Sequence, residues 1–150
     1  MGRIRERIDI AAPVAQIWTV VHEDIPNVPR WSENLLQTEV VGGGQVGLDA
    51  ELRYVVKLPG GRTHELSLVV TEYEKHRRCA GTMQGGPMTG TWSWTYSSRD
   101  KSTGVLYEST IQLGGMLRFA GGWIEQQAAD DVRRNLEGLK QYVESEAMSK

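Results

Sequence analysis

The chain has 150 residues, of which 39% are hydrophobic and 24% charged, a balance that fits one globular domain spanning residues 1–150 with enough length to bury a real core. Its formal charge of −2, with both signs interspersed, excludes the basic stripe that a nucleic-acid surface needs. Cys79 is the lone cysteine, which excludes an intrachain disulfide and a cysteine metal cluster.

Residues 1–9 lack a signal-like apolar run, and no stretch approaches the length of a membrane span, so a cytoplasmic, reducing setting is expected. Residues 3–10 alternate, with Ile4, Ile8 and Ile10 on one face and Arg3, Arg5, Arg7 and Asp9 on the other, which predicts an amphipathic strand. Pro13 suits the first turn of a helix, where its missing N–H is no loss, and Val14, Ile17, Trp18 and Val21 follow at helical spacing. Asp24, Ile25 and Pro26 stop that helix. Residues 27–36 then hold Pro29 and a second short helical piece bearing Trp31 and Leu35.

Gly42, Gly43, Gly44 and Gly47 punctuate the chain before a strand at 49–58, where Ala50, Leu52, Tyr54, Val56 and Leu58 share a face. The turn signal at Pro59, Gly60 and Gly61 closes a hairpin onto residues 62–74, with His64, Leu66, Leu68 and Val70 aligned. The basic run Lys75 to Arg78 falls at the next turn and reads as solvated. A shorter strand at 78–84 carries Met83. Residues 89–98 are the most β-prone in the chain and place Trp92, Trp94 and Tyr96 on one face. Residues 104–113 return with Val105, Tyr107, Ser109, Ile111 and Leu113 aligned.

From residue 115 to 149 the pattern becomes helical, with Ile124, Ala128, Val132, Leu136, Leu139 and Val143 forming one apolar stripe. A helix this long needs a broad apolar surface to lie on. Antiparallel strands with one polar and one apolar face supply it. The expected class is therefore α+β: a curved antiparallel sheet of about six or seven strands around a long C-terminal helix, with two short helices between the first two strands.

The segments IDIAAPVAQIWTVVHEDIPNVPRW (residues 8–31), VTEYEKHRRC (70–79) and RRNLEGLKQYVES (133–145) resemble the START-like, helix-grip superfamily, specifically its polyketide cyclase/dehydrase and lipid-transport group. The resemblance runs over essentially the whole chain. It implies a deep cavity between the sheet and the last helix, with the short helical segment and hairpin loops at its mouth. It also implies a hydrophobic small molecule as partner. No catalytic residue is carried over, because no position here matches a family catalytic motif.

The expected cavity wall comprises Trp31, Tyr54, His64, Met83, Trp92, Trp94, Tyr96, Tyr107, Trp123 and Gln127. Trp92, Trp94 and Tyr96 must share a face by strand alternation and either fill the core or line the cavity. Tyrosine hydroxyls beside indole faces suit a flat, partly oxygenated molecule such as a polyketide, quinone or sterol. Residues 114–123, with Gly121 and Gly122 beside Trp123, form either a gate or a plain break between strand and helix.

His64 is the histidine expected on an inward face and, with Tyr54 and Tyr107, supplies the acid–base candidates if the protein is a polyketide aromatase/cyclase or dehydratase. His22, His64 and His76 have no metal-ligand spacing, so neither metal nor cofactor is expected. There is no Gly-x-Ser-x-Gly elbow and no phosphate loop. Few inward-facing groups are ionisable, which tilts the reading from catalysis toward binding. A third role, a protein-interaction module, would need no cavity. The oligomeric state is left open.

Overall fold

The computed structural model describes the backbone of residues 2–57, 61–86, 88–113 and 121–148, and side chains at 3–57, 61–86, 88–112, 126 and 128–145. Among these residues the strands are β1 (Gly2–Ile10), β2 (Leu35–Val40), β3 (Glu51–Lys57), β4 (Thr63–Glu74), β5 (Arg78–Gly85), β6 (Met88–Ser98) and β7 (Thr103–Leu113). They form one seven-stranded sheet in the order β1-β7-β6-β5-β4-β3-β2. Every neighbouring pair is antiparallel. Helix α1 (Val14–Trp18) runs into a π-helical turn, Thr19–Glu23, and a 3₁₀ segment, Ile25–Arg30; helix α2 (Gly121–Met148) closes the fold. This is the helix grip.

Alternation turns Leu52 and Val56 of β3, Leu66, Leu68 and Val70 of β4, Trp92 and Tyr96 of β6, and Val105 of β7 into one buried face. The other face is ionic. Arg53 pairs with Glu39 and Glu65, and Glu108 lies near Arg3 and Arg5, so Arg53 and Glu108 point away from the interior as alternation requires.

Helix α2 lies against β1 along its apolar stripe, where Leu139 and Val143 are fully buried and Leu136 nearly so. Each such side chain contributes about 1.5–3 kcal/mol by leaving water. Polar ties fix the register between helix and strand. Arg133 donates to the Glu6 carboxylate at 2.9 Å, Lys140 to the Asp9 carbonyl at 2.9 Å, and Glu144 accepts from the Ala11 N–H at 2.9 Å.

At Gly138 the helix meets the chain just beyond the 3₁₀ segment. A Cβ there would sit 2.3 Å from the Trp31 carbonyl oxygen, which is backbone and cannot swing aside. Gly138→Ala is therefore expected to lower stability by about 1–3 kcal/mol, despite alanine's better helix propensity. A denaturant midpoint equal to or above the parent's would show that the helix has slack at this crossing.

One predicted element differs. Residues 27–36 were expected to hold a second helical piece carrying Trp31 and Leu35; the 3₁₀ segment instead ends at Arg30, and Leu35 begins β2. The β2–β3 register shifts between Leu35 and Gln37, so Leu35, Thr38 and Val40 turn inward while Leu36, Gln37 and Glu39 are exposed. That bulge breaks the period of two and hides the strand from a pattern reading. The Thr38 hydroxyl donates to the Ile25 carbonyl and ties this edge strand to the helical segment. The expected stop at Asp24 is present, with that residue leaving helical geometry at φ −97°, ψ 57°. Of the expected gate, residues 114–120 lie outside the described residues.

Candidate functional site

Sheet, helical segment and α2 do not pack solidly together. They leave a cavity of about 140 Å³. Six of the expected wall residues border it: Trp31, Tyr54, Met83, Trp92, Trp94 and Tyr107. Trp94 is the hub, with ring centroids 5.0 Å from Tyr107, 5.9 Å from His22 and 6.3 Å from Trp31, each near edge-on. Such edge-to-face pairs set ring directions as well as filling space. Trp92 differs in having its polar handle satisfied, since its Nε1 donates to the Thr82 carbonyl at 3.0 Å.

Two expected residues stand elsewhere. His64 is on the concave side of β4 but half-buried toward its start, where its Nε2 lies 2.8 Å from the Gly85 carbonyl oxygen; it does not border the cavity. Tyr96 is buried behind the wall, its hydroxyl 2.7 Å from His22 Nε2. The side chains of Trp123 and Gln127 lie outside the described residues.

His22 is the residue that sequence reasoning missed. It is buried, borders the cavity and lies on the π-helical turn that follows α1. The signal was available: His22 follows Trp18 by four, the spacing that stacks two side chains on one helix face, and their rings are 4.4 Å apart. Burial alone pushes the His22 imidazole down to a pKa of about 3, so it is neutral near pH 7.

Burial also raises Tyr54 and Tyr107, the latter partly offset by a Ser109 hydrogen bond, and lifts the Cys79 thiol to about 12. Among the described residues the cavity is lined without Asp, Glu, Lys or Arg, and its titratable groups are held in their neutral forms. Ser32 and Asn135 complete its polar lining, with Asn135 donating to Asn34 at 2.7 Å. Among the described residues no group of His, Cys, Asp and Glu side chains could hold a metal ion, and no helix is long and apolar enough to cross a membrane.

A curled sheet gripping a long helix over an aromatic, uncharged hollow defines the START-like class. The chain belongs to the family described as polyketide cyclase / dehydrase and lipid transport, whose profile matches residues 1–144. Solved structures with the same fold include the Thermus thermophilus protein TTHA0849, at 17% identity and TM-score 0.81, covering 95% of this chain and 97% of that one. A START superfamily protein from Mycobacterium smegmatis gives 15% identity and TM-score 0.81, with coverage of 97% and 99%. The Zhui aromatase/cyclase from Streptomyces sp. R1128 gives 12% identity and TM-score 0.75, with coverage of 95% and 93%. A search of curated proteins by sequence found no match.

Proposed function

We propose that this protein binds a flat, hydrophobic small molecule in the cavity between the sheet and α2, within the broad chemical range of polyketides, lipids, quinones and sterols. The observation that carries this is the unfilled volume of about 140 Å³ with Trp94 at its hub. A core built only for stability closes around its large side chains, because each void forfeits dispersion contacts. Binding would be driven by removal of apolar ligand surface from water, worth about 25 cal/mol per Å², with wall hydroxyls fixing orientation. Titration of uncharged aromatic compounds of one to three rings, read by tryptophan emission, tests this. Trp94→Ala is expected to weaken the best binder about tenfold through loss of its edge-on partners, and Tyr107→Phe to weaken it less. Unchanged affinity in both folded variants would remove these residues from the site.

A second reading, polyketide aromatase/cyclase or dehydratase chemistry, is supported by the family description and by the aromatase/cyclase among the structural neighbours. Tyr54 and Tyr107, kept protonated by burial, would donate to a carbonyl oxygen as it gains negative charge on enolisation. Substitution of His64 separates the earlier acid–base candidates: full turnover of a poly-β-ketone thioester by His64→Ala would leave only the tyrosines and His22.

A further inference from the structure

We infer that the cavity takes an uncharged molecule whose enclosed part is a single ring bearing one hydrogen-bond acceptor, and that His22, held by Tyr96, donates the bond that orients it. This deepens the ligand-site reading above and rests on it.

Size comes first. An apolar protein cavity of about 150 Å³ takes benzene, and this one has about 140 Å³. Three fused rings exceed it. Charge is next: a carboxylate entering a space whose described lining has no cation would lose its hydration without a partner. The polar contact follows from the His22–Tyr96 pair. A phenol is the stronger donor and a neutral imidazole nitrogen the stronger acceptor, so the Tyr96 O–H donates across the 2.7 Å gap to Nε2. The His22 proton then resides on Nδ1. That atom has no hydrogen-bond partner among the described residues. Nor is it among the sealed, partnerless atoms, which are Nε1 of Trp18 and of Trp31. The space that His22 borders is the cavity, so its remaining N–H is left for a guest. Tyr54 can donate or accept, whereas Tyr96 fixes His22 as a donor.

The test titrates the whole protein at pH 7.5 with acetophenone, toluene, benzoate and 9,10-anthraquinone, reading tryptophan emission and the ¹⁵N resonances of the His22 ring. Acetophenone is expected to bind best, toluene about fivefold more weakly for want of an acceptor, and benzoate and anthraquinone at least tenfold more weakly. The protonated Nδ1 resonance should shift with acetophenone and not with toluene. Tyr96→Phe, which removes only the hydroxyl, should let the ring change tautomer and erase the preference for acetophenone over toluene. A structural role for Tyr96 would leave that ratio unmoved. Benzoate or anthraquinone binding as tightly as acetophenone, or an Nδ1 resonance indifferent to acetophenone, would overturn this inference while leaving the ligand site standing. No response to any of the four compounds would overturn the ligand site itself.

Discussion

Gly81→Ala is expected to lower stability by about 3 kcal/mol and Tm by about 10 °C. At Gly81, in β5, an added Cβ would lie 1.9 Å from the Val69 carbonyl oxygen and 2.8 Å from the Trp92 ring. The first obstacle is backbone, and the second is a buried indole whose Nε1 is already bonded to Thr82. Neither can rotate away, so relief requires moving β4 from β5. The adjoining register shift between Val70 and Glu72 places the glycine where the sheet bends. Thermal unfolding followed by circular dichroism measures the effect. A Tm within 2 °C of the parent would mean that β4 and β5 can separate freely, and the account of sheet curvature at this point would fail.

Acidification from pH 7 to pH 5 is expected to remove about 2 kcal/mol of stability through His22 alone. In the unfolded chain this histidine takes up a proton near its ordinary pKa of 6.5, whereas the folded protein resists until about pH 3. Below pH 6.5 the unfolded state therefore holds more protons, and stability falls as pH falls through that window. Glu23 and Glu144 are also lowered, each below the ordinary 4.5: Glu23 foremost by its Thr19 hydrogen bond, Glu144 foremost by its Lys140 hydrogen bond. Their contributions are lost only at lower pH, as those carboxylates protonate. His22→Gln keeps a polar group for Tyr96 but cannot titrate, so its urea midpoints at pH 7, 6 and 5 should follow a flatter line. Parallel lines for parent and variant would mean that His22 is not buried neutral.

The parts of this architecture that were legible in the sequence are those governed by an unbroken period. Leu52, Tyr54 and Val56 alternate without interruption, as do Trp92, Trp94 and Tyr96, and the stripe from Val132 to Val143 keeps helical spacing. Each settles a face from local geometry alone. Strand β2 was not legible, because one extra residue between Leu35 and Thr38 exchanges the faces halfway along it. Alternation also says nothing about depth along the groove. His64 and Trp94 both sit on concave-side positions, yet one ends on the Gly85 carbonyl and the other at the cavity hub. His22 was readable as Trp18's helical neighbour, but the aromatic surroundings that keep it neutral come from β6, about 70 residues onward. Tertiary assembly, rather than any local pattern, makes that residue chemically distinctive.

Among its described side chains, α2 is seated unequally. Its turn at Leu139 and Val143 is wholly enclosed and Gly138 is notched against the Trp31 carbonyl, whereas Val132 and Asn135 border free volume. The least-packed part of a structure opens at the lowest free energy. Under the proposed binding function, the residence time of an occupant would be set by bending of the turns before Leu136.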